Sequence, residues 1–186
     1  MSRADRERWE RRYAEPAAAL AKGPHPLLTR WVPPAQPGQR ALDLACGLGR
    51  DALWLAEQGY TVDALDISLA ALRHARGEML RRGLDGVRFV QADLDHFPLR
   101  HAAYDVTVVF RFLDRRLFPA IRASVRPGGL IVYQTFNTRQ LALRPTLRAD
   151  HMLQPGELPG YFPGWHILTA ADDGPESSLV AVKPGG

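Results

Sequence analysis

The feature that most constrains this chain is a glycine-containing segment, LDLACGLGRDA at residues 42–52. Its first half has the pattern of a short apolar strand, and the residues after Gly49 begin a helical pattern. A glycine turn between a strand and a helix lets a ligand approach the backbone, and it presents the free N–H groups of the helix start. Gly47, Gly49 and Ala52 also match the dinucleotide pattern G-x-G-x-x-A, which is a weak signal alone. The segment predicts a ligand site in an α/β fold.

Apolar strand patterns alternate with helical patterns after this segment. Strands are predicted at RALDLA, YTVDALD, VRFVQAD, YDVTVVF, LIVYQTF, WHILTA and SSLVAVK. Helices are predicted at RDALWLAEQG, SLAALRHARGEMLRRG and LDRRLFPAIRASV, with RPGG as a turn after the last of them. Near-continuous Val, Leu and Ile content is typical of parallel strands covered on both faces, and right-handed crossovers then give a doubly wound sheet. The final two strands, joined by DDGPES, predict an antiparallel hairpin at the sheet edge.

The N-terminal segment differs from the rest of the chain. Residues 3–21 have a helical pattern that places Trp9 and Tyr13 on one face, and a Pro- and Gly-rich stretch follows with a short helical turn near residues 27–31. We therefore expect residues 1–38 to form a cap or lid and residues 39–186 to form the main domain.

Acidic residues around the glycine turn indicate what the ligand is. Asp43 lies near the end of its strand, Asp51 lies in the first turn of the helix, and Asp66 ends the next strand. A pyrophosphate would meet carboxylates where it needs only donors, whereas a cationic ligand would be favoured. A carboxylate at the end of the second strand can accept hydrogen bonds from both hydroxyls of a ribose. A ligand with a nucleoside, a positive charge and no phosphate is S-adenosylmethionine.

The composition and the residue patterns argue against several other classes of protein. The 186 residues carry a net charge of +4, with 46% hydrophobic residues, 24% charged residues and one cysteine. Acidic residues interrupt the basic N-terminal stretch RERWERRY, so a nucleic-acid partner is not expected. The histidines show no metal-ligand spacing, so no metal is expected, and no apolar run reaches the ~20 residues that a bilayer requires. With no secretory pattern at the N-terminus, we expect a cytoplasmic protein. The oligomeric state is not predicted.

The stretch from Arg40 to Phe136 resembles the class I S-adenosylmethionine-dependent methyltransferases. DLACGLGRDALWLAEQGYTVDALDIS resembles their first two motifs, and QADL, YDVTVVFRFLDR and RPGGLIVYQTF resemble the next three. The resemblance implies a Rossmann-like seven-stranded sheet whose last strand is antiparallel, in a three-layer αβα arrangement. More finely, WERRY, CGLGRD, Thr135-Phe136-Asn137 and LQPGEL at residues 153–158 resemble the tellurite-resistance and thiopurine-methyltransferase branch, which acts on small molecules.

The resemblance implies a set of site residues. Asp93 would accept from the adenine amino group, Leu94 would pack on the ring, and Tyr13 would close over the methionine end unless it only packs in the core. No chemistry is assigned to Cys46. The full set expected to bind the cofactor is Tyr13, Asp43, Ala45, Cys46, Gly47, Gly49, Arg50, Asp66, Ile67, Asp93, Leu94 and Phe110. The candidates for the acceptor pocket are Phe110, Arg111, Tyr133, Thr135 and His151.

The expected reaction is methyl transfer to a small-molecule acceptor. Methyl transfer needs alignment of the nucleophile more than covalent help from the protein. Oxygen and amine acceptors generally need a base, and no clear base motif stands out, although His151 and Tyr133 are candidates. A soft acceptor, such as a thiol or a selenium or tellurium species, is therefore favoured. The alternatives are a module that binds the cofactor without transfer, and an NAD-dependent oxidoreductase suggested by the G-x-G-x-x-A match.

Overall fold

A computed structural model describes residues 3–14, 23–146 and 148–185. Five α-helices lie in these ranges: α1 (Arg3–Ala14), α2 (Pro26–Trp31), α3 (Arg50–Glu57), α4 (Leu69–Arg81) and α5 (Phe118–Ser124). The strands are β1 (Arg40–Leu44), β2 (Thr61–Asp66), β3 (Val87–Gln91), β4 (Tyr104–Phe110), β5 (Val125–Phe136), β6 (His166–Ala171) and β7 (Glu176–Val182). Short 3₁₀ helices occupy Arg115–Leu117, Thr138–Ala142, Ala149–His151 and Leu158–Tyr161. None of the helices in the described ranges is long and apolar enough to cross a bilayer.

The strands form a seven-stranded sheet in the order β3-β2-β1-β4-β5-β7-β6. β1 pairs in parallel with β2, β2 with β3, and β4 with β5, whereas β7 is antiparallel to both β5 and β6. This topology confirms the predicted Rossmann-like, mostly parallel sheet, including the antiparallel last strand and the hairpin of the final two strands.

Two compact units make up the chain, residues 1–98 and residues 99–186. The first contains α1 to α4 and β1 to β3. In β1, the side chains of Ala41, Leu42 and Leu44 are fully buried, as expected for a strand covered on both faces. The ends of β1, β2 and β3 come into register because Leu44 lies opposite Leu65 and Asp66 lies opposite Gln91. The residues that follow these strands are therefore neighbours within the first unit.

Local signals set the helix boundaries in the first unit. The Ser68 hydroxyl accepts from the N–H of Ala71 at 3.2 Å, so Ser68 is the N-cap of α4 as predicted. Gly59 follows α3 with a φ of 94°, a conformation that glycine adopts without strain. α1 is described as far as Ala14, and the remainder of its predicted range lies in residues 15–22, which are outside the described residues.

The second unit is built on β4, β5, β7 and β6, with an aromatic cluster around Phe118. The Phe118 ring stacks on Tyr133 and Tyr161 with centroids 5.4 and 3.8 Å apart, and it meets Phe162 edge-on at 5.8 Å. RPGG, predicted as a turn, belongs to β5 instead. The strand begins at Val125, which pairs with Tyr104, and the next pair is Val106 with Leu130. Between these two pairs β5 contains more residues than β4, so the register of the two strands is irregular there.

Candidate cofactor site

The glycine segment makes a tight, left-handed loop after β1. Ala45, Gly47 and Gly49 have φ values of 57°, 54° and 72°. The N–H of Cys46 donates to the Leu65 carbonyl at 3.0 Å, and the N–H of Gly49 donates to the Cys46 carbonyl at 2.9 Å. A left-handed conformation costs a non-glycine residue about 1–2 kcal/mol, so strain at Ala45 is typical of a functional loop.

Asp66 holds this loop from the end of β2. One carboxylate oxygen accepts from the N–H of Gly47 at 2.7 Å, and the other accepts from the N–H of Ser68 at 2.9 Å. Burial raises the pKa of Asp66, and the hydrogen bonds from Ser68 and Gly47 only partly offset burial. A carboxylate oxygen can accept more than one hydrogen bond, so Asp66 has capacity for a ribose hydroxyl while it fixes the loop.

Asp43 is the strongest structural indication of a bound ligand. Its side chain is 2% exposed, and the N–H of Ala52 donates to its carboxylate. Its Oδ2 atom is buried and has no hydrogen-bond partner among the described residues. Burial raises the pKa of Asp43 well above its usual range, and the charges of Asp51 and Asp66 raise it further. A buried carboxylate oxygen without a donor, beside other carboxylates, suits a cationic ligand and disfavours a pyrophosphate.

Cys46 lies in the same acidic surroundings. Burial raises the pKa of its thiol well above the usual value, and the carboxylates of Asp43 and Asp66 raise it further. The thiol therefore stays protonated at neutral pH, and a protonated thiol is a poor nucleophile.

The start of α3 is tied to the N-terminal part of the chain. Asp51 is 8% exposed and accepts from the backbone N–H of His25 at 2.7 Å. The guanidinium of Arg50 bonds to the same carboxylate at 3.2 and 3.3 Å. The sequence left open whether Arg50 holds a carboxylate or lies in solvent; its observed partner is its own neighbour, and a contact with the cofactor stays a prediction.

Helix α1 lies directly on the glycine loop. A Cβ atom added at Gly47 would lie 2.9 Å from the Tyr13 hydroxyl oxygen, and Trp9 stacks on Tyr13 with ring centroids 5.9 Å apart. Burial raises the pKa of Tyr13, and the charge of Asp66 raises it further. The absence of a side chain at Gly47 thus makes room for the Tyr13 hydroxyl, and the closure of Tyr13 over the methionine end of a cofactor stays a prediction.

Glu10 attaches α1 to the rest of the first unit, a contact that the sequence did not reveal. Its carboxylate accepts from the N–H of Leu69 at 2.8 Å, the N–H of Ala70 at 2.9 Å and the hydroxyl of Ser68 at 3.1 Å. The two N–H groups belong to the first turn of α4 and have no acceptor within the helix, and a negative charge there is also favoured by the helix dipole. Glu10 therefore caps α4 from a distant part of the chain.

Replacing Glu10 by alanine should loosen this attachment. A helix cap contributes about 1 kcal/mol, so we expect the amides of Leu69 and Ala70 to exchange with deuterium about fivefold faster, measured by NMR. Glu7→Ala removes the same charge from an exposed position on α1 and serves as the control. Equal exchange rates in the two variants would contradict the capping role.

The contribution of Glu10 should also depend on pH. Burial raises its pKa, but hydrogen bonds from Ala70, Leu69 and Ser68 outweigh burial, so the pKa lies below the usual 4.5. A carboxyl whose pKa is lowered by folding stabilises the folded state above its unfolded pKa. The protection provided by Glu10 is therefore present at neutral pH and is lost as the pH falls through its lowered pKa, below 4.5.

The residues after β3 lie beside Asp66. The N–H of Ala92 donates to the Asp66 carbonyl at 2.9 Å, which extends the β2–β3 pairing to the residue before Asp93. Asp93 is half-buried, and its Oδ1 atom accepts from the N–H of Asp95 at 3.1 Å. Ile67 and Leu94 are 3% and 2% exposed. The first unit thus brings together every expected cofactor residue except Phe110, which ends β4 in the second unit.

The candidates for the acceptor pocket differ in how they are placed in the second unit. Tyr133 is fully buried and donates its hydroxyl to the Phe112 carbonyl at 2.8 Å. Burial raises its pKa far above the usual value. Its hydroxyl thus serves as a structural donor, which disfavours the predicted role of Tyr133 as a base. Thr135 is also buried, at 2% exposure, whereas Arg111 and His151 are exposed.

Comparison with known proteins agrees with this geometry. Residues 41–129 match a family model described as a methyltransferase domain. A ubiquinone biosynthesis O-methyltransferase of Escherichia coli O9:H4 (strain HS) is 32% identical over 124 residues, which are 63% of this chain and 51% of that protein. The chain spans about half the length of the curated relatives it matches, with shares of 51%, 43% and 62% in three of them.

Solved structures share the fold. An S-adenosylmethionine-dependent methyltransferase from Mesorhizobium loti superposes with a TM-score of 0.70 at 19% identity, covering 85% of this chain and 96% of that one. A structure described as the conversion of a disulfide bond into a thioacetal group during echinomycin biosynthesis gives a TM-score of 0.75 at 22% identity. The match covers 97% of this chain and 92% of that one. Residues 41–129 of this chain thus match the model of a methyltransferase domain, and the chain shares the fold of solved S-adenosylmethionine-dependent methyltransferases.

Proposed function

We propose that the protein transfers the methyl group of S-adenosylmethionine to a small-molecule acceptor. The observation that carries the proposal is the unpartnered, buried Oδ2 atom of Asp43 beside the left-handed glycine loop. An acid placed there is unfavourable unless a cation or a donor accompanies it, and a sulfonium nucleoside with an α-ammonium group supplies both. The pyrophosphate of a nicotinamide dinucleotide would instead add negative charge to Asp43, Asp51 and Asp66.

In this proposal, different residues of the first unit bind different parts of the cofactor. Asp66 accepts hydrogen bonds from the ribose, Asp43 faces the cationic end, and Asp93 accepts from the adenine amino group between the apolar side chains of Ile67 and Leu94. Tyr13 covers the loop, held by α1 and Glu10. The cofactor supplies an electrophilic methyl group on a positively charged sulfur. The protein contributes by holding the acceptor in line with that group and by excluding water.

A soft nucleophile is the acceptor that this set of residues favours. Tyr133 is not available as a base, because its hydroxyl is buried and bonded to a carbonyl. A thiol has an unperturbed pKa near 8.5, so a useful fraction ionises without a strong base. This chemistry suits an acceptor class typical of the tellurite-resistance and thiopurine branch. The conversion of a disulfide bond into a thioacetal group, described for the echinomycin-biosynthesis structure, is also chemistry at sulfur.

A hydroxyl acceptor is the second candidate. The observation that favours it is that the curated relatives are ubiquinone biosynthesis O-methyltransferases. An enol or phenol with a lowered pKa would need little help from a base. His151, exposed on the 3₁₀ helix Ala149–His151, remains the predicted candidate for that role.

Two measurements test the proposal. Isothermal calorimetry should give binding of S-adenosylmethionine and none of NAD; the reverse result would favour the oxidoreductase. A radiolabelled-methyl assay with small thiols, phenols, selenite, tellurite and small amines should then show transfer, with thiols or the selenium and tellurium species fastest. Tight cofactor binding without transfer to any class of acceptor would favour the binding module, and faster transfer to phenols would favour the hydroxyl acceptor.

A further inference from the structure

Arg111, the first residue after β4, has an unusual backbone conformation. Its φ is 56°, in the left-handed region that costs a non-glycine residue about 1–2 kcal/mol. The N–H of Arg111 donates to the Gln134 carbonyl at 2.8 Å, so the neighbouring β5 holds the conformation in place. Residues held in this way are concentrated at ligand sites, and in open α/β sheets ligands bind beyond the carboxyl ends of the strands.

The guanidinium of Arg111 retains most of its capacity to donate hydrogen bonds. Its carbon lies 5.9 Å from the centroid of the Phe136 ring, which supports its flat face. Its Nε atom lies 3.7 Å from Oε1 of Glu176, too far for a hydrogen bond, and the Arg111 side chain is 63% exposed. An exposed ion pair at this distance is weak. A ligand can therefore use the donors of Arg111 without breaking a strong contact.

Glu176 is held independently of Arg111. It lies opposite Phe136 in the β5–β7 register, and its Oε2 atom accepts from the side-chain amide of Gln134. A fixed carboxylate on one side and an aromatic ring against one face restrict the directions in which the guanidinium points. The planar fork of an arginine binds carboxylate and phosphate groups through two parallel hydrogen bonds. Arg111, Gln134, Phe136 and Glu176, here named the Arg111 cluster, thus present one oriented cation.

We propose that Arg111 determines the specificity of the enzyme for its acceptor by binding an anionic group on it, a carboxylate or a phosphate. The inference rests on the proposed methyl transfer and deepens it: the acceptor is a small molecule that carries a nucleophilic sulfur or oxygen and, apart from it, one oxyanion. The weak pair with Glu176 holds the guanidinium in position until the acceptor arrives. Arg111 acts in acceptor binding and takes no part in cofactor binding.

Matched acceptor pairs test this proposal. The probes are 4-mercaptobenzoate and its methyl ester, with 4-mercaptophenyl phosphate as the phosphate arm; 4-hydroxybenzoate and its ester replace them if the protein prefers phenols. The wild-type protein should methylate the anion with the higher kcat/KM. Arg111→Ala should raise KM for the preferred anion about 10- to 100-fold, the loss expected for hydrogen bonds to a charged group, and should leave the ester unchanged.

Two further variants distinguish the charge of Arg111 from the geometry of its hydrogen bonds, and both from a nonspecific effect of losing an arginine. Arg111→Lys keeps the charge but loses the fork, so it should recover only part of the preference for the anion. Arg100→Ala removes an arginine from an exposed loop position of the same unit and should change nothing. Equal effects of Arg111→Ala on the acid and the ester, or no effect on either, would overturn the proposal.

Equilibrium binding separates failure of this inference from failure of the proposed function. Calorimetry with 4-hydroxybenzoate and phenyl phosphate, in the presence of S-adenosylhomocysteine, requires no turnover. Weaker binding of the preferred anion to Arg111→Ala than to the wild-type protein would support the anion site even if no acceptor were methylated. Equal binding to both proteins would reject it whatever the activity.

Discussion

Replacing Asp66 by alanine is expected to weaken the binding of S-adenosylmethionine at least about 100-fold. Two effects combine: the ribose hydroxyls lose a charged acceptor, which contributes about 1.5–3 kcal/mol per hydrogen bond, and the N–H groups of Gly47 and Ser68 lose the partner that fixes the loop. Isothermal calorimetry measures the change in Kd directly.

Two companion variants make the result for Asp66 specific. Asp66→Asn keeps the shape and one acceptor oxygen, so its loss of affinity should be smaller than that of the alanine variant. Asp85→Ala removes a carboxylate from an exposed loop position of the first unit and should bind the cofactor like the wild-type protein. Unchanged affinity in a folded Asp66→Ala protein, with folding checked by circular dichroism, would remove Asp66 from the site.

The positions of the strands along the chain could be predicted because each strand carries its own signal. Near-continuous apolar runs such as YDVTVVF are typical of buried parallel strands, and turn residues separate them. The start of β5 could not be predicted in this way. RPGG has strong turn character, and only pairing with β4 across an irregular register extends the strand back to Val125. A local pattern contains no information about such a partner.

The placement of the acidic and glycine residues of the candidate site could be predicted because they lie at strand ends, whereas their contact with a cofactor stays a prediction. The contacts of Glu10 could not be predicted, because its partners at Ser68, Leu69 and Ala70 are distant in sequence. Alternation on β5 likewise placed Tyr133 and Thr135 on one face, but it does not indicate whether that face meets solvent or core. Both side chains are buried, and Tyr133 packs against Phe118.

Gly47 and Gly49 look equivalent in the sequence, yet the structure gives each a different reason to be glycine. At Gly47 an added Cβ would meet the Tyr13 hydroxyl, the end of a side chain that can move. At Gly49 it would lie 2.8 Å from the Cβ of Ala75 and 3.0 Å from the ring of Phe89, which are packed in α4 and β3. Gly49 therefore determines how closely the loop packs on its own unit, in addition to any contact with the cofactor.

Gly49→Ala should destabilise the protein by about 3 kcal/mol. A left-handed φ of 72° costs alanine about 1–2 kcal/mol, and forcing a methyl group into a packed interior costs a further 1–3 kcal/mol. The expected decrease in Tm is about 6–12 °C for a protein of this size. Thermal and denaturant unfolding followed by circular dichroism measure both quantities.

Gly77→Ala is the matched control, since it makes the same substitution on α4, where an added Cβ meets nothing within 4 Å. Alanine is favoured over glycine inside a helix, so this variant should be more stable than the wild-type protein by up to about 1 kcal/mol. Changes of opposite sign in the two variants would show that packing and backbone conformation at Gly49, rather than the loss of a glycine, control stability. A Gly49→Ala protein as stable as the wild type would mean that α4 and β3 shift to admit the methyl group. The close packing of the loop would then contribute nothing to the free energy of unfolding.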